Sequence, residues 1–116
     1  MADHETTLND LKTRMASFVN ARDWAQFHAP KNLAMSLSIE AAELMEHFQW
    51  ITVDDSHEIK NDPNVKEAVA QEMSDVLSYL VALANVMDID IAEAFFQKIK
   101  LNELKYPIDQ FKGRYR

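Results

Sequence analysis

Glu40 and Glu43 stand three residues apart, and so do Glu72 and Asp75, each pair inside a stretch whose apolar residues recur at helical spacing. On a wheel of ~100° per residue, Leu33, Leu37, Leu44 and Phe48 make one apolar stripe. Glu40 falls in its middle and Glu43 at its edge. Val65, Val69, Val76, Leu80, Leu83 and Met87 make a second stripe, with Glu72 in the middle and Asp75 at the edge. Burying one unpaired carboxylate costs several kcal/mol, and converging carboxylates also repel one another. Neither stripe supplies a Lys or Arg on that face. The chemistry that makes the arrangement tolerable is a hard divalent cation with oxygen ligands, Mg²⁺ or in its place Mn²⁺. Acids on the solvated sides of helices account for Glu46, Glu58, Glu67 and Glu103, but not for carboxylates inside both stripes.

Two further sets suit an anionic, ring-bearing ligand. Lys98, Asn102 and Lys105 share one helix face and form an anion-binding strip. Trp24, His28, Trp50 and Tyr79 are rings with polar handles, able to stack on a nucleobase and bond to its edge.

The elements that position these residues are helices, and the expected fold is an all-α four-helix bundle. The first runs from about Leu8 to Arg22, with Thr7 and Asp10 as a capping pair. A connector, Asp23 to Pro30, carries Trp24 and His28. The second helix spans about Lys31 to Phe48, and an acidic loop, Trp50 to Asp62, follows it without periodicity. Asp62 as N-cap and Pro63 at the first helical position open the third helix, which continues to about Met87. Asp90 and Glu93 form a capping box ahead of the fourth, which Pro107 stops near Lys105. The tail, about 108–116, is expected to be mobile.

Composition narrows the function. A chain of 116 residues fits one domain. A single glycine disfavours a glycine-cradled phosphate loop. Nineteen acidic against 12 basic residues, net −7, disfavour a nucleic-acid polymer as partner. No cysteine is present for a thiol nucleophile or a thiolate zinc site. No apolar run is long enough for a bilayer, so no membrane partner is expected and a cytoplasmic location is the default.

The segments Arg22-Asp-Trp-Ala-Gln-Phe-His28, Glu40-Ala-Ala-Glu-Leu-Met-Glu-His-Phe-Gln-Trp50, Glu72-Met-Ser-Asp-Val-Leu-Ser-Tyr79 and Lys98-Ile-Lys-Leu-Asn102-Glu-Leu-Lys-Tyr-Pro107, in that order, resemble the MazG-like all-α nucleoside triphosphate pyrophosphohydrolases, and within them the dCTP pyrophosphatase branch. Many relatives carry glycines where this chain has Ala41 and Ala42. The resemblance implies Mg²⁺ held by Glu40, Glu43, Glu72 and Asp75. It implies triphosphate contacts from Lys98, Asn102 and Lys105, and base contacts from Trp24, His28, Trp50 and Tyr79. The implied reaction converts a (deoxy)NTP, dCTP or a modified dNTP, to NMP and pyrophosphate in nucleotide-pool house-cleaning. Glu43, at the site edge, is the expected base for the attacking water.

Apolar residues on the backs of the two carboxylate helices, Met35, Ile39 and Ala42 on one and Leu77 and Val81 on the other, predict a homo-oligomer, dimer or tetramer. A di-iron carboxylate bundle is disfavoured, because no histidine has a Glu three residues before it. The remaining alternative is a non-catalytic helical interaction module with an acidic docking face.

Overall fold

The computed structural model describes residues 1–114. The chain folds into α1 (Leu8–Ala21), α2 (Pro30–Glu46), α3 (Val53–Glu58), α4 (Pro63–Met87), α5 (Ile91–Lys105) and α6 (Ile108–Phe111), with 3₁₀ turns at Ala25–Phe27 and Ile59–Asn61. There is no strand among the described residues.

Local chemistry explains where the helices start and stop. The Thr7 hydroxyl accepts from the Asp10 N–H at 3.1 Å, and the Asp10 carboxylate accepts from the Thr7 N–H at 3.0 Å, closing a capping box at α1. The Asp62 carboxylate accepts from the Asn64 and Val65 N–H groups at 3.1 and 3.3 Å, and Pro63 takes the first position of α4. Pro30 opens α2 in the same way. At α5 the Asp90 carboxylate accepts the Glu93 N–H at 2.9 Å, but the reciprocal bond is absent, so only half the expected box forms. α1 and α4 end where Asp23 and Asp88 each adopt a left-handed φ of 54°.

α4 is the axis of the fold, with α2 laid along it and α1 packed beside it. Among the described residues Leu33, Val81, Ala82, Ala84 and Val19 are the buried apolar ones, Leu33 and Val81 fully so. Among the described residues the fold is all-α as expected, but of the long helices only α1, α2 and α4 pack together, and not the four of the expected bundle. α5 makes little contact with the α1–α2–α4 body. Its Phe95, Phe96, Leu101 and Leu104 lie bare to solvent.

Several expectations need correction. The segment 50–62 is not an aperiodic loop: Thr52 caps α3 by accepting the Asp55 N–H at 3.0 Å, and two aspartates in the first turn favour the helix further. The segment after Pro107 includes the short α6, with Tyr106 and Phe111 meeting edge to face at 5.1 Å; of the tail expected to be mobile, residues 115–116 lie outside the described residues. Leu80 and Met87, placed in the core stripe by periodicity, are 40% and 50% exposed, while Val81, expected on the back, is 2% exposed. The reason is that α1, as well as α2, packs on α4, which buries Val81 but leaves Leu77, one turn away, 40% exposed beside the cavity.

Candidate active site

The α2–α4 packing brings three of the four expected metal-holding acids, Glu40, Glu43 and Glu72, to one place, while Asp75 stands outside that group, near enough for its charge to act on Glu40. One carboxylate oxygen from each of Glu40, Glu43 and Glu72 lies within 4.8 Å of the others, and all three side chains are half-buried or at the boundary of the core. One oxygen of Glu40, Oε2, and one of Glu72, Oε2, are shielded from solvent and have no hydrogen-bond donor. A buried acceptor without a donor costs free energy, so this cluster lacks something positive. The Glu40 carboxyl is pushed up to about 7. The largest cause is a hydrogen bond with the Glu43 side chain, which only a protonated carboxyl can make; desolvation, the charges of Glu43 and Asp75, and a hydrogen bond with Glu72 add to it. The oxygen-only donor set and the orphaned oxygens fit a hard dication. Glu40, Glu43 and Glu72 are the residues positioned to hold one, with Asp75 beside them.

The cluster opens on a cavity of about 540 Å³ between α1, the first connector and α4. Glu40 and Asp75 stand in its wall together with Trp24, His28 and Tyr79. The connector owes its shape to Asp23. The left-handed turn there lets the Trp24 N–H donate to the Val19 carbonyl at 3.0 Å and folds the indole edge-on against Phe18, 5.6 Å away at 78°. The Arg22 guanidinium covers the Phe18 ring at 3.9 Å and donates to the Phe18 carbonyl at 3.1 Å, so the aromatic wall is held from behind.

Four of the expected site residues are not brought there within one chain. Trp50, in the turn after α2, is 87% exposed and outside the cavity. Lys98, Asn102 and Lys105 sit on α5, away from the cavity wall, and the Lys105 ammonium lies 5.4 Å from the Tyr106 ring centre. Conversely, Arg14, Phe18, Ser74 and Ser78 line the cavity without having been singled out. Arg14 left a signal in the sequence: it is three residues after Leu11 and four before Phe18, a charged residue within the apolar spacing of α1.

A helical body with paired E-x-x-E and E-x-x-D carboxylates meeting beside an aromatic cavity defines a class of all-α acid-cluster proteins. A MazG-like family model matches residues 35–115. The chain belongs to the MazG-like family. It is 39% identical over 109 residues to dCTP pyrophosphatase 1 of Mus musculus, covering 94% of this chain and 64% of that protein. It is 42% identical over 103 residues to dCTP pyrophosphatase 1 of Homo sapiens, covering 89% of this chain and 61% of that protein. The chain thus spans less than two thirds of the length of these curated relatives. A crystal structure of a pyrophosphatase from Archaeoglobus fulgidus superposes with a TM-score of 0.80 at 38% identity, covering 92% of this chain and 98% of that one. No helix among the described residues is long and apolar enough to cross a membrane.

Proposed function

We propose that the chain is a Mg²⁺-dependent nucleoside triphosphate pyrophosphohydrolase that cleaves dCTP or a modified deoxynucleotide to the monophosphate and pyrophosphate. The observation that carries this reading is the donorless, shielded oxygen on each of Glu40 and Glu72, facing one another across two helices beside an aromatic cavity. The relatives named as dCTP pyrophosphatases support the substrate class.

Glu40, Glu43 and Glu72 would hold the cation, with Asp75 at the acidic edge, and a dication there would supply the positive charge that offsets the phosphate oxygens and the departing pyrophosphate. Glu43 orients the water and takes its proton as the oxygen approaches the α-phosphorus. Trp24 and Tyr79 flank the nucleoside, and His28 offers it a hydrogen bond.

The reading includes a homo-oligomer. Among the described residues, the wall of one chain offers a triphosphate no lysine, and its arginine, Arg14, stands away from the acids, because Lys98, Asn102 and Lys105 lie on the separated α5. A second copy laying its α5 across the cavity supplies those three side chains and covers the apolar face of that helix.

The test is a screen of canonical and modified dNTPs with Mg²⁺, identifying products. NMP plus pyrophosphate is expected, and release of inorganic phosphate alone would contradict the reaction. Glu43→Gln is expected to lower kcat about a hundredfold or more while Mn²⁺ binding, followed by paramagnetic resonance, persists. Full turnover in that variant would remove Glu43 from the role of base. A purely non-catalytic interaction module predicts no product from any nucleotide.

A further inference from the structure

Among the described residues Arg14 is the one permanently charged cation in the cavity wall. Among them it also has no carboxylate partner: the ion pair found there joins the N-terminal amine to Glu5. The nearby Arg22 is engaged with Phe18, whereas Arg14 stands exposed on the cavity side of α1.

Its position along the cavity decides what it meets. α1 runs opposite in direction to α4. Lys12, near the start of α1, donates its ammonium to the Ile89 carbonyl at 2.8 Å, and its own carbonyl accepts from the Asn85 amide at 3.0 Å. Trp24, beyond the other end of α1, shares the cavity with Ser74 and Asp75. Asp75 precedes Asn85 by ten residues, about 15 Å along a helix axis. Arg14, two residues from Lys12, therefore belongs to the end of the cavity remote from the carboxylates. A nucleotide with its phosphates at the acids presents its base to that end.

We propose that Arg14 reads the base, its guanidinium fork donating two parallel hydrogen bonds to the O2 and N3 atoms of cytosine. The inference rests on the pyrophosphohydrolase reading above. On the free Watson–Crick edge of cytosine these two atoms are adjacent acceptors. Uracil and thymine carry a proton on N3, so the same fork meets a donor and one bond is lost. A rigid fork matched to two neighbouring acceptors is the geometry by which arginine selects bases elsewhere. The point-like ammonium of lysine does not reproduce it.

The experiment compares kcat/KM for dCTP, dUTP and dTTP, with Mg²⁺, in the wild-type chain, Arg14→Leu and Arg14→Lys. The preference for dCTP over dUTP is expected to fall about 10- to 100-fold in both variants, on the scale of one bidentate base contact. Mn²⁺ binding and the melting temperature serve as checks that each variant retains the fold and the acid cluster. Equal losses on all three nucleotides would mean that Arg14 touches phosphate and would overturn the proposal, as would an unchanged preference. A wild-type chain that hydrolyses dNTPs without favouring dCTP would overturn base reading by Arg14 and leave the reaction standing. A wild-type chain releasing no pyrophosphate would sink the earlier reading instead.

Discussion

Glu40 couples charge to stability. Unfolded, it ionises near 4.5; folded and without a cation, it keeps its proton up to about 7. Between those values the folded state holds the extra proton, so this contribution is fullest below 4.5 and is lost as pH rises through about 7. In EDTA, the melting temperature of the wild-type chain is therefore expected to fall between about pH 5 and pH 8 more steeply than that of Glu40→Gln, which has no proton to lose. Mg²⁺ replaces the proton as the neutralising charge, so it is expected to flatten the wild-type profile and to bind less tightly below pH 7. Differential scanning calorimetry checks both. The acids were legible in the sequence because a charge in an apolar stripe is conspicuous. Arg14 left only the weak signal of one charge within the spacing of Leu11 and Phe18, and such a lone cation looks like any solvated side chain until the cavity beside it is known.

The helices were legible to within a residue or two where a cap marked them. Thr7, Asp62 and Asp90 each satisfy backbone donors that the first turn leaves unbonded. Asp62→Ala removes the acceptor for two N–H groups at the head of α4 and is expected to cost about 1 kcal/mol, measured by urea denaturation. Leu33→Ala, at a residue 2% exposed, is expected to cost about 2–5 kcal/mol by the same measurement. α3 was missed because six residues are too few for periodicity to register. The Val81 face of α4 was misassigned because a helix clasped on two sides has no single stripe. Its periodicity reports that it is buried, not which neighbour buries which side.

The isolated chain is too open for its size. Its radius of gyration is 17.2 Å, against about 13.4 Å for a compact domain of this length. Its accessible surface is 9515 Å², about 3,000 Å² more than a compact monomer of this mass exposes. That excess is on the scale of an obligate interface between copies. Sedimentation at micromolar concentration is expected to show particles of at least twice 13.4 kDa, and a monomer alone would refute the assembly. By itself the sequence determined the helices, their caps and the pairing of acids on two of them, since each depends on neighbours three or four residues away. Only the tertiary structure decided that the acids meet, that α1 walls a cavity beside them, and that α5 is left without a partner in its own chain. Those outcomes depend on how helices cross and which faces they share, and local spacing carries no record of that.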